Sequence, residues 1–484
     1  MRLLAQEGIT FDDVLLVPQR TPLASRAQAS TKTKLTSSIE LEIPIIAANM
    51  DTVTESKMAI AMARLGGIGI IHRFLAIEDE AREVLKVKRS ESIVIEEPYT
   101  VGPDQTVGDA LDLMKRVGVS GLPVVDAHKK LLGLLTNRDT LFVRNPGKVK
   151  VREVMKPKTD LITARAGVST DQAKRILEKN RVEKLPLVDG GGRLTGLITV
   201  KDLIEKKILY PKAVKNQKGQ LLVGGAIGVK DDYLERAEAL LAAHCDVLVL
   251  DIAHGHSDHA IAAIKKIKRT FGKSVQLIAG NVATYQGAKE LAEAGADAIK
   301  TGVGPGATCI TRIVTGSGVP QVTAIMDCSR ITREKGIPVI ADGGVRTSGD
   351  LTKALAAGAS TAMIGSLLAG TEESPGTTIV RQGRKYKICR GMASLGAAFG
   401  RAKRTDEVLA NDDDLGQMVA EGVEALVPYR GNCSELIYQL TGGLRSGMSY
   451  CGSKTIPEMW KKATFMKISS AAVTEGLSHD LEKP

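Results

Sequence analysis

Ala298-Ile-Lys-Thr-Gly-Val-Gly-Pro-Gly-Ala-Thr-Cys-Ile-Thr-Arg312 runs from a short apolar stretch into a glycine- and proline-rich loop that ends on a cysteine. Glycine lets a backbone approach a ligand closely, and a loop at the carboxyl end of a buried strand is where barrel enzymes carry their chemistry. The stretch therefore reads as a strand followed by a loop that presents the thiol of Cys309. Two further segments share this form. Ile337-Pro-Val-Ile340 leads into Ala341-Asp-Gly-Gly-Val-Arg346, and Thr361-Ala-Met-Ile364 leads into Gly365-Ser366. Small or acidic residues at the ends of apolar runs form the pattern of a nucleotide site.

Working outward, eight apolar runs are placed as strands, at 43–46, 67–71, 221–226, 247–251, 275–279, 298–303, 338–341 and 361–364. Between most of them lie stretches of helical periodicity, such as Tyr233-Leu-Glu-Arg-Ala-Glu-Ala-Leu-Leu-Ala242 and Asp350-Leu-Thr-Lys-Ala-Leu-Ala-Ala357. Eight such units predict an α/β fold, a (β/α)8 barrel. The count is clean only when residues 93–206 are set aside, which assigns 1–92 and 207–484 to the barrel. The excised block is a repeat. Leu122-Pro-Val-Val-Asp126 recurs as Leu185-Pro-Leu-Val-Asp189, and Gly133-Leu-Leu-Thr-Asn-Arg-Asp139 recurs as Gly196-Leu-Ile-Thr-Val-Lys-Asp202, each 63 positions later. A fixed offset marks duplication, into halves 93–150 and 151–206.

Composition fits this plan. With 484 residues the chain can bury a large core, and 3% aromatics with 49 glycines suit aliphatic strands joined by tight turns. The net charge of +11 is spread among acidic residues along helical stretches, as in Glu78-Asp-Glu-Ala-Arg-Glu83, and is not gathered in arms. That argues against nucleic-acid binding and leaves a modest pull on phosphorylated substrates. Six cysteines without a CxxC pair predict a reducing, cytoplasmic setting with no structural disulfide or zinc site. Neither a leader nor an apolar run of about 18 residues is evident, so no membrane span is expected.

Taken in order, Thr10-Phe-Asp-Asp-Val-Leu-Leu-Val-Pro18, Met50-Asp-Thr-Val-Thr-Glu55, the Cys309 loop, Ala341-Asp-Gly-Gly344 and Gly442-Gly-Leu-Arg-Ser446 resemble the IMP dehydrogenase/GMP reductase family across nearly the whole chain. The duplicated insert resembles a tandem CBS (Bateman) module. The resemblance implies that Cys309 forms a covalent adduct at purine C2 while a nicotinamide exchanges hydride with that carbon, helped by Thr311 and Glu421 in Ala420-Glu-Gly-Val423. It implies substrate contacts at Asn49, Met50, Asp342, Gly344, Gly365, Ser366, Gly391 and Met392. Cofactor contacts fall at Asp251, Ala253, His254 and Gly302, and potassium at the carbonyls of Gly304, Gly306 and Cys309. In the insert, Thr136, Asp139, Thr199 and Asp202 would hold an adenine or guanine nucleotide. A homotetramer or octamer is implied as well. A metal at His254, His256 and His259 is disfavoured, because nothing nearby completes a ligand set. Two positions depart from the family: relatives commonly carry Ser at Ala307 and Tyr at Cys389.

The two branches of the family share the adduct and differ in its fate. A dehydrogenase must hydrolyse it, and in that branch an Arg-Tyr pair supplies the base for water; Phe399-Gly-Arg-Ala-Lys-Arg-Thr-Asp-Glu-Val-Leu409 holds no such pair, only Arg401 and Arg404 without the tyrosine. A reductase expels ammonia and needs only a proton donor. Ile45-Ile-Ala-Ala-Asn-Met50 and Thr315-Gly316 also lean to the reductase, whereas Ala253-His-Gly-His-Ser257, Val345-Arg-Thr-Ser-Gly349 and the insert lean the other way. The expectation is GMP reductase, converting GMP to IMP and ammonia with NADPH. The alternatives are an IMP dehydrogenase oxidising IMP to XMP with NAD, and a non-catalytic nucleotide-sensing CBS protein.

Overall fold

The computed structural model describes residues 7–90, 94–201, 203, 209–230, 232–394, 396–397 and 419–477. Its barrel strands are β1 (Ile45–Ala47), β2 (Ile68–Ile71), β3 (Gly224–Ile227), β4 (Val247–Asp251), β5 (Leu277–Val282), β6 (Ala298–Thr301), β7 (Val339–Asp342) and β8 (Thr361–Ile364). Each pairs in parallel with the next, and β8 pairs with β1 to close the ring. Such strands are covered on both faces, which is why they read as short aliphatic runs rather than alternating ones. All eight sequence-predicted runs fall on these strands. The third begins at Gly224 because Leu221 and Leu222 are engaged elsewhere: Leu221 bridges Lys215, and the Leu222 N–H donates to the Val214 carbonyl at 3.1 Å.

Helices leave the strand ends through short capped turns. Ser257, Thr284 and Thr347 each accept a backbone N–H in the first turn of Asp258–Phe271, Tyr285–Ala294 and Ser348–Ala356. Gly295 ends the second of these in the left-handed region, where a side chain is strained. The motif Gly442–Ser446 lies on the helix Cys433–Tyr450, and a Cβ at Gly443 would stand 2.1 Å from the Ser348 Oγ. These glycines thus let two helices touch, a packing role.

Most of the barrel wall is aliphatic, with a few buried ion pairs. Glu80, fully buried, meets Arg236 at 2.7 Å; Arg236 also bonds the Leu75 carbonyl at 2.9 Å and pairs with Asp232.

The chain divides into two compact units, Met1–Ser90 with Lys212–Asn216 and Leu221–Pro484, and Glu91–Pro211 with Gln217–Gln220. Within the second unit there are two small cores. Ala110, Met114, Leu122, Val124 and Leu135 in one correspond to Ala173, Leu177, Leu185, Leu187 and Ile198 in the other, each 63 positions on. The hairpins Gly121–Val125/Leu131–Thr136 and Lys184–Val188/Leu194–Thr199 carry an irregularity at the same step, Val124/Val125 and Leu187/Val188. Their turns pair with each other, the Leu131 N–H donating to Gly192 O at 3.0 Å and the Leu194 N–H to Lys129 O at 2.9 Å. No helix among the described residues is long and apolar enough to cross a membrane.

Burial pushes the Glu80 acid up to about 8 even with the Arg236 charge beside it, so removing Arg236 leaves a buried carboxyl that is either an unpaired charge or must take up a proton. Arg236→Ala is expected to lower unfolding stability by about 3–5 kcal/mol, read from urea denaturation midpoints at constant slope. An effect below about 1 kcal/mol would show that Glu80 is not held as an ion.

Candidate active site

Lys300 is the third residue of β6, and its side chain reaches across the barrel mouth. The ammonium bonds Asp251 Oδ1 of β4 at 2.6 Å, Asp342 Oδ2 of β7 at 2.7 Å and the Asn281 Oδ1 of β5. Its three protons are thereby used, and only 2% of the side chain is exposed. Burial pulls the ammonium down, but the two carboxylates outweigh it and hold Lys300 above the usual lysine range. For Asp251 burial pushes the acid up, and the Lys300 charge with the Asn49 amide outweighs that, keeping it below the usual carboxylate range.

Around this cluster the loops are fastened by amides. Asn281 Nδ2 donates to Asp342 Oδ2 at 2.9 Å and to the Gly302 carbonyl at 2.7 Å, while Gln321 Nε2 donates to the carbonyls of Thr301 at 3.1 Å and Asp342 at 3.0 Å. At Gly302, φ is +146°, and an added Cβ would lie 2.2 Å from the Asp342 carbonyl oxygen. Only glycine fits where the cysteine loop leaves β6.

Over the ends of these strands lies a cavity of about 280 Å³, walled among others by Phe11, Met50, Pro305, Gly344, Arg346 and Ser366. Asp342 and Gly365 also line it. One edge is the cysteine loop. The Cys309 thiol donates to Thr311 Oγ1 at 3.2 Å, and that hydroxyl donates to Glu421 Oε2 at 2.7 Å. The loop is clamped by 421–423, since the Ile310 N–H bonds Glu421 O at 2.8 Å and the Val423 N–H bonds Thr308 O at 2.9 Å. An added Cβ at Gly343 would lie 3.0 Å from Gly306 N, and one at Gly306 would lie 3.4 Å from Cys309 Cβ. The Asp-Gly-Gly turn therefore packs on the cysteine loop, whose residues Pro305–Thr308 line the cavity immediately before Cys309. Cys309 is partly exposed and the other five cysteines are buried, all six being free.

Of the residues read from sequence, Met50, Asp342, Gly344, Gly365, Ser366 and Gly306 meet at the cavity. Asn49 is buried and donates its amide to Asp251 Oδ2 at 2.8 Å. Gly391 abuts the cysteine loop, where an added Cβ would be 2.8 Å from Thr308 O, and Met392 follows it half-buried. Ala253 and His254 are exposed just beyond β4. His256 pairs with Glu290 at 3.0 Å, and no group of three or more His, Cys, Asp or Glu among the described residues could hold a metal ion. Ala307 is exposed at the cavity edge, whereas Cys389 is fully buried, which pushes its thiol up to about 11. In the second unit Thr136 Oγ1 donates to Asp139 Oδ2 at 2.7 Å, and Thr199 ends its strand. Asp202, Arg401 and Arg404 lie outside the described residues. Lys300, Asn281, Gln321, Asp12 and Arg346 also hold hydrogen bonds or ion pairs at the site, and the sequence reading assigned none of them a role although Lys300, Asp12 and Arg346 lie inside the quoted motifs. A lysine inside a four-residue buried strand is the available signal for the first. Arg346, at the cavity, pairs with Asp12 at 2.5 Å and Asp350 at 3.3 Å.

The family model described as IMP dehydrogenase/GMP reductase domain matches residues 8–479. An inosine-5'-monophosphate dehydrogenase of Nitrosopumilus maritimus is 55% identical over 98% of this chain and 99% of its own length. One from Aquifex aeolicus is 51% identical over 99% of this chain and 96% of its own. Among solved structures, a GMP reductase from Trypanosoma brucei in complex with guanosine 5'-monophosphate superposes with a TM-score of 0.84 at 42% identity, covering 99% of this chain and 98% of that one. The full-length similarity to dehydrogenases at 55% and 51% overturns the expectation of a GMP reductase using NADPH, and with it the placement nearer that branch. The reductase expectation leans on a tyrosine missing from a segment outside the described residues, and on Asn49, whose amide is turned to Asp251.

Because thiol access follows exposure, brief iodoacetamide treatment of the native protein is expected to label Cys309 alone, one equivalent per chain by peptide mass spectrometry. Labelling spread over Cys389 or Cys433 would contradict the packing.

Proposed function

Since the chain belongs to the IMP dehydrogenase/GMP reductase family, we propose that it oxidises IMP to XMP with NAD. The observation that carries this reading is the Cys309–Thr311–Glu421 chain that directly follows the loop Pro305–Thr308, which lines the same cavity as Asp342, in a protein 55% identical to an IMP dehydrogenase. Asp342 accepts hydrogen bonds from the ribose hydroxyls, and the N–H groups of Gly344, Gly365 and Ser366 take the 5'-phosphate. Asn49, Met50, Gly391 and Met392 border the substrate. Asp251, Ala253, His254 and Gly302 form the cofactor side.

The thiol proton passes through Thr311 to Glu421, leaving a thiolate that adds to C2 of the purine. When bound, NAD supplies the acceptor for the hydride that leaves C2 with its bonding electrons. Glu421, half-exposed, releases its proton to solvent and is then the base available for water, again through Thr311. Water adds at C2, the carbon–sulfur bond breaks with its electrons returning to Cys309, and XMP departs. IMP, NAD⁺ and water thus yield XMP, NADH and a proton.

The carbonyls of Gly304, Gly306 and Cys309 suit potassium: the loop bears no acidic side chain, and among the described residues Gly306 O accepts only the Cys309 N–H at 3.0 Å, which leaves a lone pair. A homotetramer or octamer, and an adenine or guanine nucleotide at Thr136, Asp139, Thr199 and Asp202 of a tandem CBS module spanning 93–206, belong to the same reading.

With IMP and NAD the protein is expected to generate NADH absorbance and XMP; Cys309→Ala should abolish both, and Thr311→Val should lower kcat about 10²–10⁴-fold with little change in KM. Activity retained by Cys309→Ala would defeat the proposal. Replacing potassium by choline is expected to lower kcat and to be reversed by adding potassium back; equal rates in both salts would remove the ion from the scheme.

A further inference from the structure

Buried lysines and arginines of the barrel differ in what they touch. Lys88 bonds Asp246 and the Leu221 carbonyl, and Arg236 bonds Glu80, Asp232 and the Leu75 carbonyl. None of those partners lines the cavity. Lys300 instead bonds a residue that does, Asp342, and at the same time Asp251.

The use of oxygens at Asp342 is one-sided. Its Oδ2 accepts from both Lys300 Nζ at 2.7 Å and Asn281 Nδ2 at 2.9 Å, whereas Oδ1 accepts no hydrogen bond from the described residues. The fork is thus pinned by one oxygen, leaving the other for a ligand. With all three N–H groups occupied and 2% exposure, Lys300 has no proton to offer a substrate. It can act only through its partners. A purely stabilising role is a poor explanation, because buried ion pairs are often replaceable by apolar residues at little cost in stability.

We propose that Lys300 is a positioning residue, whose ammonium locks Asp342 to Asp251 so that the sugar-gripping oxygen and the cofactor-side carboxylate are held as one rigid pair at the barrel mouth. This rests on the IMP dehydrogenase reading.

The test is protection of Cys309 from iodoacetamide by IMP alone, read by mass spectrometry of the Cys309 peptide, with Lys300→Met and Lys300→Arg beside the wild type. The cysteine chain does not involve Lys300, so without IMP both variants should be alkylated within about twofold of the wild-type rate. The IMP concentration giving half-protection is expected to rise about tenfold or more in Lys300→Met and by a smaller factor in Lys300→Arg, which keeps the charge but not the compact geometry. Unchanged half-protection in a folded Lys300→Met overturns the proposal; should that variant fail to fold, unchanged half-protection in Lys300→Arg overturns it equally. A wild type that IMP does not protect at all overturns the dehydrogenase reading itself, and this proposal with it.

Discussion

The Lys300 ammonium sits between two carboxylates and an amide oxygen with 2% of its side chain exposed, and losing any one of these partners would leave a charged N–H buried without an acceptor. Because those partners come from β4, β5 and β7, the strands cannot shift relative to one another at the mouth without breaking a charge-assisted bond. Beside the cluster, Asn281 and Gln321 fasten the carbonyls of Gly302 and Asp342 independently of the Cys309–Thr311–Glu421 chain.

The cysteine end is built differently. Cys309, Thr311 and Glu421 are joined by single hydrogen bonds between two loops and the first residue of the short helix Thr311–Thr315, and the clamp between 308–310 and 421–423 is a short stretch of backbone pairing outside any named strand. In the proposed reading, the side of the mouth tied by the Lys300 cluster carries the acceptor for the sugar, and the side joined by single hydrogen bonds carries the nucleophile.

Barrel strands were legible because parallel strands covered on both faces become short aliphatic runs, and the cysteine loop was legible because glycine and proline mark a backbone that must bend. The two small cores of the second unit repeat at the same 63-position offset as the sequence motifs. Lys300 was not, since one lysine in an apolar run looks like an interruption, and its partners lie 49, 19 and 42 positions away in sequence. Asn49 misled for a related reason. Its sequence context resembles one branch of the family, yet its amide is spent on Asp251. Choosing between reactions from a residue that is missing also failed, because proton transfer to water needs a suitably placed base and not a particular pair of residue types.

The most direct measurement is the mass of the Cys309 peptide after the enzyme is quenched in acid during turnover with IMP and NAD. A covalent chemistry centred on this sulfur requires that peptide to carry the added mass of IMP less two hydrogens, the adduct left after hydride departs and before water adds, and requires the label to vanish when NAD is omitted. An unmodified peptide during active turnover, or the same mass on any other cysteine, would contradict it.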